Sequence, residues 1–205
     1  MSPSNATAQY WYGQSLCNLE RFEECLAETA RAHSLDPAYL NAGVDVGHRL
    51  YEARRYAEAI APIRKVLEFN PDYAVGHLCL GQVYEANRMY PEVISELLKS
   101  VELSGGAPMD VAALGHAYAV SGHRAEARKA LQKLEELATR RYVSNFPRAL
   151  IYAGLGENDR ALELLERAFQ ERSSGMVKLK VDPRLDPLRG DARFTALVRR
   201  VGLTP

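Results

Sequence analysis

The sequence predicts an all-α fold, a superhelix of five stacked helical hairpins closed by one further helix at the C-terminal end. Three observations carry this. Small residues recur at intervals of thirty-four, at Gly13, Gly47, Gly81, Gly115 and Ala149. A large apolar residue follows each by three, at Leu16, Leu50, Tyr84, Tyr118 and Tyr152. Pro37, Pro71 and Gly105 then punctuate the ends of the first three units, where a helix cannot easily continue. A fixed period in this range is the mark of a solenoid, in which each hairpin buries its apolar face only against its neighbours.

Residues 40–73, LNAGVDVGHRLYEARRYAEAIAPIRKVLEFNPDY, show one unit in full. The first helix needs a small residue because it must approach the second closely. The second helix carries its own stripe, with Cys25, Ala59, Val93, Ala127 and Ala161 compact. Thr29, Ile63, Leu97, Leu131 and Leu165 follow four later, then Ala32, Val66, Ser100, Leu134 and Ala168 after three more. That i, i+4, i+7 spacing is one buried helical face. The units are 6–39, 40–73, 74–107, 108–141 and 142–175, after a polar leader at 1–5 expected to be disordered.

In the first helix Tyr10, Trp11 and Tyr12 stand in a row, and three consecutive residues cannot share one helical face. Tyr12 is assigned to the core, and Tyr10 and Trp11 to the inner surface or the open end of the stack. No polar cap precedes Ala6, so this end is expected either to follow further chain or to self-associate. Pro91 falls in the first turn of its helix, where proline is tolerated. Pro62 lies inside a predicted helix and should kink it or shift its start. Gly154-Leu155-Gly156 reads as the turn of the last hairpin, and Ser104–Pro108 as a slightly opened joint. After Ser173 the repeat stops. Two Asp-Pro breaks, at 182–183 and 186–187, precede a short helix over about 191–201, within a C-terminal segment 176–205. Asp191 is its N-cap, and Phe194, Leu197, Val198 and Val201 form an apolar stripe that covers the last hairpin.

Lysine plus arginine equals aspartate plus glutamate at 26 each, so bulk charge argues against nucleic-acid or membrane binding. No run of eighteen apolar residues and no signal peptide is present. An odd cysteine count suggests no disulfide framework, with Cys17 and Cys25 as buried thiols in a reducing cytoplasm.

With five units in register, these columns resemble tetratricopeptide repeat (TPR) proteins over nearly the whole chain. A narrower likeness lies in GHAYAVSGHRAEARKAL (115–131), RALIYAGLGENDRALELLERAFQER (148–172) and VDPRLDPLRGDARFTALVRRVGL (181–203). These resemble the C-terminal repeat arm of bacterial multidomain signalling proteins, where it follows a winged-helix, nucleotide-cyclase or Ser/Thr-kinase domain. The resemblance implies a sensory or partner-binding arm. Arg148 in an apolar column and Asn145-Phe146-Pro147 ahead of it depart from the pattern and blur the start of the fifth unit.

In such a stack first helices line a concave groove. The residues expected to face it are Tyr10, Trp11, Gln14, Asn41, Asp45, His48, Leu78, Cys79, Gln82, Met109, Ala113 and His116. The carboxylate clamp of paired Lys and Asn used by some relatives is absent from the corresponding positions. Asp45, His48 and Cys79 are weighed as metal ligands and set aside, because His48 and His116 sit two units apart. A Cys79–His48 nucleophile pair lacks an orienting third group. No catalysis and no cofactor are expected. The favoured function is a scaffold holding a protein segment in the groove, with Trp11, Tyr10 and Gln82 as anchors. The alternative is a regulatory arm that binds a small molecule or itself.

Overall fold

The computed structural model describes residues 5–36 and 40–203. Residues 1–4 of the leader and the Pro37 stop lie outside the described residues. Ten helices pair into five hairpins: α1 (Ala6–Asn18) with α2 (Phe22–Leu35), α3 (Leu40–Glu52) with α4 (Tyr56–Phe69), and α5 (Ala74–Ala86) with α6 (Tyr90–Leu103). Then come α7 (Pro108–Val120) with α8 (Arg124–Ala138), and α9 (Phe146–Gly154) with α10 (Asn158–Gln170). Two short 3-10 stretches, Ser174–Lys178 and Pro183–Leu188, lead to α11 (Ala192–Val201). No strand occurs among the described residues.

The periodic columns form the core. Every residue of the three second-helix columns, from Cys25 and Thr29 to Leu165 and Ala168, is buried. Helices touch where the glycines permit it. A Cβ on Gly47 would stand 2.6 Å from the Ala59 carbonyl oxygen, and one on Gly81 2.6 Å from Leu97 Cγ. Asn5 caps α1 by accepting from the Ala8 amide, and Asp191 caps α11 by accepting from the Arg193 amide. Phe194 and Leu197 of α11 are buried against the C-terminal core, with Val198 and Val201 partly buried beside them.

A further column emerges at the hairpin turns. Glu20, Arg54, Arg88, Gly122 and Gly156 all have positive φ, between 59° and 86°. They too are spaced by thirty-four. The turn between the two helices requires one left-handed residue, and only the last two units supply glycine for it.

Two expectations are corrected, and one of the two alternatives in a third. Cys17 and Cys25 are joined as a disulfide rather than standing as two thiols. They face each other across the short turn of the first hairpin with Cα atoms 5.2 Å apart, well within bridging reach. The cysteine count therefore gives no support to a reducing compartment. Tyr12 is 40% exposed and not in the core, because α1 packs chiefly on α2 and only lightly on α3. Its counterpart Leu80, held within the stack, is buried. Pro62 does not shift the start of its helix, since α4 runs unbroken from Tyr56 through it. No helix among the described residues is long and apolar enough to cross a membrane.

Candidate interaction cleft

The inner faces of the first helices set out the site. On α3, Asp45, His48, Arg49 and Glu52 fall at i, i+3, i+4 and i+7 and so share one face. Val75, Leu78, Cys79 and Gln82 repeat that spacing on α5, and Tyr10 and Gln14 continue it on α1. Together with Pro108 and Met109 at the start of α7, these side chains form one wall of a cleft of about 680 Å³. The opposite wall comes from 142–147 and 171–175, and Lys178, Asp182 and Arg184 close its inner end.

The concave face is thus not an open trough. After α10 the chain turns back across it, and Met176, Leu179, Val181, Leu185 and Leu188 are buried there. Of the expected groove residues, Tyr10, Gln14, Asp45, His48, Leu78, Cys79, Gln82 and Met109 line the cleft. The other four do not. Trp11 is 57% exposed and touches the cleft only through an edge-on contact with Tyr10, ring centroids 5.1 Å apart. Asn41 accepts a hydrogen bond from the Tyr73 hydroxyl. Ala113 is in the core, and His116 is buried at a separate recess of about 500 Å³ that also contains Glu85 and Asn158. For His116 the cause is α9, which is only nine residues long and packs more closely on α7 than the earlier first helices pack on one another, whereas Ala113 is packed in the core with Leu80, Tyr84 and Leu97. A Cβ on Gly154 would lie 2.8 Å from His116 Cδ2, which shows how tightly that face is covered.

A charged cluster that the sequence reading does not single out organises the inner end. Arg49, 2% exposed, donates to Asp45 at 2.6 Å and to Glu52 at 2.7 Å. Lys178 reaches the same Glu52 at 2.8 Å from 126 residues away. Burial alone would push the Glu52 carboxyl up, but the Arg49 and Lys178 cations outweigh it and hold the group down at about 2. Burial pushes His48 down, which keeps it neutral on the face of Tyr51, 5.7 Å between ring centroids. Burial also drives the Cys79 thiol far above its usual range, so it is a packed thiol and not a thiolate. Asp182 and Arg184 form a second buried pair at 2.7 Å. Among the described residues no group of three or more His, Cys, Asp or Glu side chains could hold a metal ion. Arg49 and Glu52 are visible in principle, as charges at i+4 and i+7 on the face that starts with Asp45. Lys178 carries no local signal.

Comparison with known proteins finds the same architecture. TTC0263, a thermophilic TPR protein of Thermus thermophilus, superposes with a TM-score of 0.65 over 88% of this chain and 98% of its own, at 18% identity. The fold is a TPR solenoid. The MamA fragment from residue 41 of Desulfovibrio magneticus RS-1 follows with a TM-score of 0.57 at 20% identity, covering 68% of this chain and 79% of that one. In the APC/C hetero-tetramer Cut9–Hcn1, a chain matches 98% of this one across 43% of its own length, with a TM-score of 0.64 at 14% identity. No protein-family profile and no curated protein sequence matches the chain.

Proposed function

We propose that this TPR solenoid is a non-catalytic scaffold that holds an extended segment of a partner protein in the cleft. The observation that carries this is the lining: apolar Val75, Leu78, Met109 and Phe146 share the cleft with neutral hydrogen-bonding groups on Tyr10, Gln14, His48 and Gln82, and most of its charged groups, Asp45, Arg49, Glu52, Lys178, Asp182 and Arg184, are paired with one another. Such a surface suits a peptide backbone with apolar side chains, and its volume lies in the range of pre-formed binding sites. Tyr10 and Gln82 are the anchors, one at the exposed end and one buried. The packed Cys79 thiol and neutral His48 support a binding role over a nucleophilic one. The likeness of 115–131, 148–172 and 181–203 to the repeat arm of signalling proteins supports a regulatory setting.

The test is a peptide selected by display against the chain. Leu78→Arg, in the cleft, should weaken its binding at least about tenfold, the loss of one large buried apolar contact, while Leu98→Arg, exposed on α6, should not. Equal losses, or a loss only at Leu98, would count against the cleft. A second reading, self-association through the first hairpin, is favoured by the exposure of Trp11, Tyr12 and Leu19 on one end. Sedimentation velocity that stays monomeric at high concentration removes it.

A further inference from the structure

We propose that the segment Ser174–Leu188 is a clasp that holds the first two hairpins to the C-terminal half and sets the width of the cleft. The segment has two unlike sides. Its apolar side chains, Met176, Leu179, Leu185 and Leu188, are buried in the C-terminal core with Phe146, Leu150 and Leu165. Hydrogen bonds and ion pairs tie it to the first two hairpins. Lys178 binds Glu52 at 2.8 Å and Asn18 at 3.3 Å. Lys180 pairs with Glu20 at 2.7 Å. Arg54 pairs with Asp186 at 2.7 Å and donates to the Val181 carbonyl at 3.1 Å.

The two attachments should therefore respond differently to solution conditions. Apolar burial tolerates salt, whereas the part-exposed Arg54–Asp186 pair is screened once the Debye length falls from about 10 Å at 0.1 M to about 3 Å at 1 M; the Lys178–Glu52 pair, whose carboxylate is buried, is screened much less. The side that lets go is the one facing hairpins one and two, and those hairpins carry Tyr10, Gln14 and His48 on one cleft wall. The residues that grip are placed by the backbone. Glu20 and Arg54 occupy the left-handed turn column that Gly122 and Gly156 fill in the last two units. Side chains stand where glycine would be free of strain, and both reach the clasp.

The clasp rests on the proposed cleft only for its regulatory consequence, that a partner enters more readily when it is released. The experiment separates the two. Spin labels at Ala30→Cys on α2 and Glu163→Cys on α10, both exposed positions, report the span of the full chain. At low salt the distance should be single and narrow. In the Arg54→Met, Lys178→Met double variant at low salt it should shift longer and broaden while helical circular dichroism is unchanged, and in about 1 M NaCl, which screens the exposed pairs far more than the buried one, the parent chain should show a smaller shift in the same direction. An unshifted, narrow distance in the double variant, with its helical circular dichroism retained, overturns the clasp. A released clasp with no change in binding of the cleft-selected peptide leaves the clasp standing and counts against the partner reading alone.

Discussion

Glu52→Gln is the most informative single substitution. Glu52 is buried on α3, between Arg49 and Lys178, and its carboxyl is held at about 2 against an ordinary 4.5. At about 1.4 kcal/mol for each pH unit of displacement, the charged form contributes about 3 kcal/mol to the folded state at neutral pH. Glutamine keeps the shape and one acceptor but leaves two cations facing a neutral amide. Breaking a buried pair from one side typically costs about 3–5 kcal/mol, so a loss of about 3 kcal/mol is expected at pH 7. The sign in pH follows from the depressed folded value. The stabilisation is complete above the unfolded value near 4.5 and is lost as pH falls toward 2. At pH 3, about one unit above the folded value, only part of that contribution remains, so the gap between parent and variant should be about halved. Urea unfolding of both chains at pH 7 and pH 3 measures it. A gap below about 1 kcal/mol at pH 7, or one that does not change with pH, refutes the reasoning.

Other substitutions probe different parts of the chain. Gly47→Ala should destabilise by about 1–3 kcal/mol despite its better helix propensity, because the added carbon meets the Ala59 carbonyl at 2.6 Å. Gly76→Ala meets side chains and no backbone, Leu67 Cδ2 at 2.7 Å and Cγ at 3.2 Å and Tyr73 Cδ1 at 3.4 Å, so thermal melts should show a smaller loss than for Gly47→Ala. Thiol titration of the unreduced, unfolded chain should find one reactive cysteine, Cys79, out of three. Reducing the Cys17–Cys25 bond, which spans 8 residues, should cost about 2.5 kcal/mol by loop entropy, read as a lower urea midpoint. Trp11→Ala should change stability by less than about 0.5 kcal/mol, since the ring is largely exposed. Trp11, the single tryptophan, should nonetheless report cleft occupancy by fluorescence through its contact with Tyr10.

The solenoid is legible because its information is local and repeated. Gly47 and Ile63, or Gly81 and Leu97, meet within one hairpin, and the same pairing is stated five times along the chain. The turn column at Glu20, Arg54 and Arg88 is hidden because polar residues in a left-handed turn look like ordinary solvated charges. Tyr12 is misplaced by its column because a column describes a position inside a stack, and α1 packs chiefly on α2 and only lightly on α3. The cleft is legible wherever first helices keep their even spacing, at Tyr10, His48 and Gln82. It does not extend to His116, where the short α9 closes over α7, nor to Ala113, which is packed in the core of the middle hairpins. The return of residues 174–188 across the concave face cannot be read from periodicity at all. Lys178 and Glu52 are joined by a contact between a repeat and a segment that does not repeat.

Capture of a protein segment in the cleft is tested most directly by photo-crosslinking in living cells. A photoreactive amino acid at Leu78, inside the cleft, is compared with one at Leu98, exposed on α6. The scaffold account predicts a discrete adduct from position 78 that maps to one short segment of another protein and disappears when Gln82→Ala is added. Adducts of equal yield from both positions, or from 98 alone, would contradict it.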